Sequence, residues 1–162
     1  MKSINFSRQS TKGNKTMNLF GVLDINSSAL TAERERAEVT ASNLANAETT
    51  SSPGGGPYKK QLVVFGTQQP GQGKFALALS RFGDLHARGV KVEKVVQDQS
   101  PAIRRYEPGH PDADADGYVS FPDINPVEEM VNLMGAAQAY QLNVSAVQAT
   151  KGMISETLQI LT

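Results

Sequence analysis

An apolar stripe with heptad spacing runs along the N-terminal part of the chain. Between about Leu19 and Ala47 no proline interrupts the sequence, and polar or charged residues separate the apolar positions. One stripe, at alternating spacings of four and three, consists of Leu23, Ser27, Leu30, Arg34, Ala37, Ala41 and Leu44. A second stripe beside it contains Val22, Ile25, Ala29, Ala32 and Val39. The pattern predicts a long amphipathic helix whose wide, small-residue face contacts more than one neighbouring helix.

A second long helix is predicted at the C-terminal end. Asn125 is a suitable N-cap, Pro126 suits the first helical position, and Glu128 and Glu129 place negative charge near the helix N-terminus. Positions with three-four spacing then continue to the chain end: Met130, Leu133, Ala137, Tyr140, Val144, Val147, Lys151, Ile154, Leu158 and Leu161. Gly135 and Gly152 weaken such a helix unless they permit close packing.

The middle of the chain has the pattern of short β-strands. From Ser51 to Ile124 proline and glycine become frequent, and runs rich in Val, Phe and Tyr are separated by turn residues. The predicted strands are Tyr58–Phe65, Lys74–Arg81, Val90–Gln97, Ala102–Tyr106 and Tyr118–Phe121.

These elements predict an α+β fold, in which the long terminal helices pair as an antiparallel coiled coil and a small β-rich insertion lies between them. We expect an N-terminal helical segment over 17–50, a β-rich outer domain over 51–124 and a C-terminal helical segment over 125–162. Residues 1–16 precede Met17, which opens the patterned region, and we interpret them as a disordered leader or a mis-assigned start.

Charge and composition exclude several functional classes. Sixteen basic residues balance sixteen acidic ones, which argues against nucleic-acid binding through phosphate neutralisation and against a polybasic membrane anchor. The absence of cysteine excludes disulfides, thiol catalysis and thiolate metal sites. The longest apolar runs, Leu62–Phe65 and Phe75–Leu79, are far shorter than the roughly 18 residues of a membrane-spanning helix. No apolar segment typical of a cleaved secretory signal follows the basic leader.

One acidic segment matches the opening of a calcium-binding loop. Asp112, Asp114 and Asp116 occupy alternate positions, Gly117 follows, and Asp123 falls at position twelve. The prolines before this segment disfavour an incoming helix, and Asp replaces a bidentate Glu poorly at position twelve. We therefore favour a solvated acidic turn before a strand, with calcium binding as the alternative, and predict no metal or cofactor.

The sequence contains no recognisable catalytic arrangement. The Gly66–Lys74 segment resembles a phosphate-binding loop only superficially, because Gln68 and Phe75 replace required residues. His86 and His110 have no nucleophile at a useful spacing, and Lys59-Lys60 is too short for a basic patch. We predict that the protein is not an enzyme.

The terminal stripes allow two interpretations. A heptad stripe does not reveal whether its partner lies in the same chain. One interpretation is therefore an intramolecular helical hairpin, in which the two helices pair only with each other in a small domain. We favour assembly, because two wide apolar faces expose more surface than they can cover for each other, and neighbouring copies or related subunits can bury the rest.

Several motifs resemble those of the bacterial flagellar rod and hook proteins, over nearly all residues from Met17 onward. The first is an Asn-rich helix exit, Ser42-Asn43-Leu44-Ala45-Asn46-Ala47-Glu48-Thr49-Thr50, in which Asn side chains can cap backbone groups and tolerate a left-handed turn. The middle segments Gly56–Lys60, Gly89–Val92 and Tyr106–Asp114 are similar to one proximal-rod subunit in particular. The C-terminal helix shares Val127–Leu133 and Ala139–Val144 with the family, while Glu48 and Pro126 depart from its common residues.

The resemblance implies a structural rod subunit without cofactors. Such a subunit is exported unfolded by the flagellar type III apparatus without a cleaved signal and polymerises in the periplasm with copies of itself and other rod subunits. From the charge balance and the short apolar runs, we expect neither nucleic-acid binding nor membrane insertion. The resemblance assigns Ser42, Asn43, Leu44, Ala45, Asn46, Ala47, Thr49 and Thr50 to the family signature. The expected helix-packing and subunit-interface residues are Leu23, Leu30, Ala37, Leu44, Met130, Leu133, Tyr140, Val144, Val147, Ile154, Leu158 and Leu161.

Overall fold

A computed structural model describes residues 19–68 and 89–160. Helix α1 spans Leu19–Ala45, and helix α2 spans Pro126–Ile160. Between them lie four strands: β1 Gln61–Thr67, β2 Val90–Gln97, β3 Ile103–Tyr106 and β4 Tyr118–Phe121. This order confirms the predicted α+β fold with a small β-rich insertion between two long helices.

The two helices contact each other in antiparallel orientation. Asn43 near the end of α1 bonds to Glu129 near the start of α2, whereas Arg34, farther back in α1, interacts electrostatically with Tyr140, farther along α2. Helix α1 has 27 residues and α2 has 35, so they are about 40 and 52 Å long. The longer helix therefore extends beyond the shorter one.

The start of α2 is determined by local sequence. The Asn125 side-chain Oδ1 accepts a hydrogen bond from the Val127 backbone N–H at 3.0 Å, which satisfies one of the free amides of the first turn. Pro126 occupies the first helical position, where no N–H is needed. The predicted N-cap is confirmed.

The strands form two separate antiparallel pairs. Strand β1 pairs with β2, and Glu93 is an extra residue opposite the step from Val64 to Phe65, which makes a β-bulge. Strand β3 pairs with β4 from Ile103 opposite Phe121 to Tyr106 opposite Tyr118. The predicted strands Val90–Gln97 and Tyr118–Phe121 are confirmed with the same bounds, whereas the predicted strand Lys74–Arg81 and the leader 1–16 lie outside the described residues.

The first strand pair packs on α1. Close contact at Gly89, just before β2, permits this packing, because a Cβ there would lie 2.3 Å from Ser28 Oγ. The same Oγ accepts a hydrogen bond from the Val90 N–H at 3.1 Å and donates one to the Ile25 carbonyl at 2.7 Å. Ser28 and Gly89 thus attach β2 to α1 at a defined place.

The second strand pair buries its own small core. Val119 and Phe121 of β4 are buried, as is Ile124 just before α2. The Arg105 guanidinium lies 4.6 Å from the Phe121 ring centre, and the His110 ring contacts the same ring edge-on. Tyr106 and Tyr118 remain exposed on the other face of this pair.

Candidate assembly surface

The polar residues of the signature end α1 and hold the chain that follows it. Asn46 Nδ2 donates a hydrogen bond to the Ser42 carbonyl at 2.9 Å, and Thr49 Oγ1 donates one to Asn46 Oδ1 at 3.2 Å. Thr50 Oγ1 donates to Asp112 Oδ2 at 2.7 Å and so connects the helix exit to the segment that contains Asp112, Asp114 and Asp116, which we call the acidic loop. Asn46 caps a backbone carbonyl as expected. The left-handed conformation is found only at Gly55, Gly56 and Gly117 among the described residues, so no Asn of the signature adopts it.

Asn43 is the most constrained residue of the signature, since it is only 2% exposed. Its Nδ2 donates to the Gln61 carbonyl and its Oδ1 accepts from the Gln61 N–H, both at 2.8 Å. Tyr58 Oη donates a further hydrogen bond to Oδ1 at 3.2 Å. The side-chain amide therefore pairs with the backbone of Gln61 as another strand residue would, and it attaches the start of β1 to the end of α1.

Glu129 adds a buried charge to this arrangement. It is 2% exposed, and its Oε2 accepts a hydrogen bond from Asn43 Nδ2 at 3.2 Å. Its Oε1 forms an ion pair with Lys60 Nζ at 2.9 Å. The hydrogen bond to Glu129 raises the pKa of Lys60 above its usual value, against the opposing effect of burial. We call Asn43, Lys60 and Glu129 the polar junction, because they connect α1, the approach to β1, and α2.

Sequence reasoning does not find the polar junction. The sequence pattern assigns Glu129 only a favourable charge at the helix N-terminus, and Lys60 belongs to a basic pair without a role. One signal for Glu129 exists in its spacing: it stands seven residues before Ala136, and Asn143 and Thr150 follow at the same interval. This row of small and polar residues is the row that faces α1.

The fully buried side chains of the two helices are small or polar. The buried helix residues are Ala32, Thr40, Asn43, Glu129, Ala136 and Thr150. We call the face formed by these residues the helix seam. Its two apolar side chains are alanines, and larger apolar side chains such as Leu30, Leu44 and Leu133 are only half-buried.

None of the predicted packing residues belongs to the helix seam. Half-buried positions are Leu23, Leu30, Ala37, Leu44, Leu133, Val144, Val147 and Ile154. Met130, Tyr140 and Leu158 are exposed in the single chain, and Leu161 lies outside the described residues. Their assignment to a subunit interface stays a prediction.

An apolar row lies on the side of α2 away from the seam. Val127, Val131 and Met134 follow a spacing of four and three residues and are 67, 63 and 72% exposed. At about 100° per residue they lie roughly opposite Glu129 and Ala136. We call Val127, Val131 and Met134 the outer row.

The acidic loop uses its carboxylates within the chain. Asp114 Oδ1 accepts hydrogen bonds from the backbone N–H of Tyr118 at 2.8 Å and of Asp116 at 3.0 Å, and Arg104 forms an ion pair with Oδ2. These partners, the Tyr118 amide first, lower the pKa of Asp114. Asp112 is bonded to Thr50 instead. Over 19–68 and 89–160, no three side chains of His, Cys, Asp or Glu come together as a metal site would require.

Neither described helix has the combination of length and apolar content that crossing a bilayer requires. This holds for α2 despite its 35 residues, because charged and polar side chains occur along it.

Comparison with known proteins identifies related chains. The family model "Flagella basal body rod protein" matches residues 23–51, which include the signature, and the model "Flagellar basal body rod FlgEFG protein C-terminal" matches residues 115–160. The chain is 41% identical over 145 residues to the flagellar basal-body rod protein FlgC of Salmonella typhimurium, covering 89% of this chain and 98% of the relative.

Relatives from other bacteria give the same result. Identity is 42% over 145 residues to FlgC of Escherichia coli O6:H1, with the same coverage of both chains. It is 39% over 150 residues to FlgC of Bacillus subtilis, covering 89% of this chain and 99% of the relative. These identities and coverages show that the chain belongs to the family of flagellar basal-body rod proteins FlgC, in agreement with its fold and its signature.

Proposed function

We propose that this chain is a structural subunit of the proximal rod of the bacterial flagellum. It is exported by the flagellar type III apparatus, polymerises in the periplasm through its two terminal helices, and forms part of the shaft that transmits torque. Its partners are copies of itself and the neighbouring rod subunits. The role of its relatives as basal-body rod proteins supports this assignment, and the exposed apolar surface of α2 is the observation that carries it.

The outer row supports burial by another subunit. Val127, Val131 and Met134 are large apolar side chains on one side of a helix, and the single chain leaves more than half of each exposed. Contiguous exposed apolar side chains mark contact sites because their hydration is unfavourable. Since α1 already occupies the opposite side of α2, the outer row is available to a neighbouring subunit.

The C-terminal end of α2 offers a second apolar surface. Asn43 contacts Glu129, and Leu19 lies 24 residues before Asn43, so Leu19 is level with about Met153. The last turns of α2 therefore extend beyond the described part of α1. Leu158 and Ile160 lie in these turns, with Leu158 60% exposed.

Two exposed glycines in α2 fit the same interpretation. Among the described residues, a Cβ at Gly135 or at Gly152 would meet nothing within 4 Å. Glycine inside a helix costs about 0.5–1 kcal/mol relative to alanine, and no contact within the described part of the chain offsets this cost. A neighbouring helix that approaches closely at these positions would provide the contact.

The replacement Leu158→Asp tests the proposed function. Because Leu158 is exposed, the variant should keep the unfolding free energy of the single chain within about 0.5 kcal/mol. In an assembled rod the same charge would lie in a dry contact, at a cost of several kcal/mol. We expect cells that carry only this variant to lack the subunit in purified basal bodies and to be non-motile.

Gln99→Asp is the matched control, because it adds the same charge at an exposed position between β2 and β3. It should be incorporated like the wild type. Normal incorporation and motility of the Leu158→Asp variant would contradict assembly through this end of α2.

A further inference from the structure

The helix seam has little apolar packing that could set its register. Of its six buried side chains, Ala32 and Ala136 are the apolar ones, and the others are polar or charged. Hydrophobic contact is non-directional, and the alanines limit a slip only by their size, because a shift of one turn brings Asn132 or Leu133, or Ala139 or Tyr140, to the place of buried Ala136. A directional interaction adds to this steric limit and defines the register.

The polar junction is a directional interaction between the two helices. Buried Glu129 forms an ion pair with Lys60 Nζ at 2.9 Å through one oxygen and accepts a hydrogen bond from Asn43 Nδ2 at 3.2 Å through the other. We propose that the polar junction is a register lock, which fixes α2 lengthwise against α1 and at the same time fixes β1 relative to both helices.

A slip of α2 removes the carboxylate that the lock requires. A shift of one turn places Asn132 or Leu133, or in the other direction Asn125 or Pro126, where Glu129 now lies. None of these residues carries a negative charge. The slip would leave the partly buried ammonium of Lys60 without its partner, which is unfavourable even where the ion pair itself adds little net stability.

The lock also has a fixed polarity. The Gln61 N–H donates to Asn43 Oδ1 at 2.8 Å and the Gln61 carbonyl accepts from Nδ2 at 2.8 Å, so the backbone determines which way the amide faces. Nδ2 can then donate only toward an acceptor on α2. A carboxylate at position 129 fits this arrangement, whereas an ammonium does not.

The lock differs from an ordinary surface ion pair. Arg34 and Glu38 are also paired at 2.9 Å, but their side chains are largely exposed and both belong to α1. The pair joins two residues of α1, and its contact with α2, through Tyr140, is the smallest of the influences on Arg34. It therefore provides a matched control for removing the charges of Lys60 and Glu129.

The test is a distance measurement between spin labels in the full chain. The chain has no cysteine, so Ala41→Cys and Ser155→Cys introduce the only two labelling sites. Both positions are exposed, and they lie far apart along the helix axis. A slip of one turn changes the distance between such labels by about 5 Å. We expect one narrow distance distribution in the otherwise wild-type chain.

Lys60→Met with Glu129→Met replaces the buried pair by apolar side chains, which often preserves folding. We expect this variant to gain a population displaced by about 5 Å, and Glu129→Gln, which preserves shape, to gain a smaller one. The control Arg34→Met with Glu38→Met should match the wild type. The charge swap Lys60→Glu with Glu129→Lys should remain displaced despite its opposite charges, because of the fixed polarity at Asn43.

Three results would overturn the register lock. The first is a broad distance distribution in the wild type. The second is a wild-type distribution in both Glu129→Gln and the double variant Lys60→Met with Glu129→Met. The third is recovery of the wild-type distance by the charge swap. Each of these can be observed whether or not the chain forms rods, so the test is independent of the proposed function.

Discussion

Asn43 holds three parts of the chain through one side-chain amide. It bonds to the backbone of Gln61, accepts from Tyr58 and donates to Glu129, while the helix to which it belongs ends two residues later. A buried polar group is favourable only when such partners are present, because an unpaired one costs about 1–3 kcal/mol. The signature residue is thus a structural connector between helix and strand.

The ion pair of the junction makes a prediction about alkaline pH. Glu129 raises the pKa of Lys60 in the folded chain above its ordinary value of 10.5. The stabilisation is therefore fully present below the unfolded pKa and is lost as the pH rises through the raised folded pKa. We expect the wild type to lose unfolding free energy above about pH 10 more steeply than Lys60→Met.

Denaturant unfolding of both chains at several pH values between about 8 and 11.5 measures this difference. Tyrosine and the other lysines titrate in both proteins, so only the difference between the two curves reports on Lys60. Parallel curves over the whole range would show that the pair does not couple to folding.

At the scale of single residues, the sequence predicts local interactions well. Asn125 was recognisable as a helix cap because its partner, the Val127 amide, is two residues away. The partners in the polar junction are separated by as many as 86 residues, and no local pattern connects them. Only the chain fold brings Lys60 and Asn43 to Glu129.

The attachment of β2 to α1 is an interaction between elements. Gly89 approaches Ser28 so closely that a methyl group at residue 89 would lie 2.3 Å from Oγ and 2.9 Å from Cβ of Ser28. The strand pair must move away from α1 to accept this methyl group. A shift of a packed element typically costs about 1–3 kcal/mol.

We therefore expect Gly89→Ala to lower the unfolding free energy by about 1–3 kcal/mol. Ser28→Gly should recover part of this loss in the double variant, because it removes the two atoms nearest to the new methyl group and leaves only Gln68 Oε1, at 3.0 Å, in close contact. Thermal unfolding of the wild type, both single variants and the double variant gives the coupling between the sites. Additive effects would contradict the close contact.

At the scale of elements, the sequence predicts where helices and strands occur more reliably than which face of a helix is buried. The bounds of β2 and β4 agree with the predicted strands, since turn residues mark their ends. The stripes chosen by apolar content include Met130 and Ala137, but the buried seam residues are the neighbouring Glu129 and Ala136. Apolar content does not reveal which partner covers a side chain.

At the scale of the whole molecule, the two faces of α2 have different compositions. The helix seam is small and polar, whereas the outer row is large and apolar. A single folded chain usually has the opposite arrangement, with its largest apolar side chains inside. This inversion is what we expect of a subunit whose main hydrophobic contacts form with its neighbours. It also explains why the apolar stripes of the sequence do not identify the residues that are buried within a single chain.

The most direct test of the account is methionine oxidation along α2, compared between the purified chain and isolated basal bodies. Met130 and Met134 are exposed in the single chain, and oxidation of methionine follows exposure. Mass spectrometry of the peptides, with the denatured chain as the reference for complete accessibility, gives both rates. We predict oxidation of Met134 at least about tenfold slower in basal bodies than in the single chain, because neighbouring subunits cover the outer row. Equal oxidation rates in the two samples would contradict assembly through this face of α2.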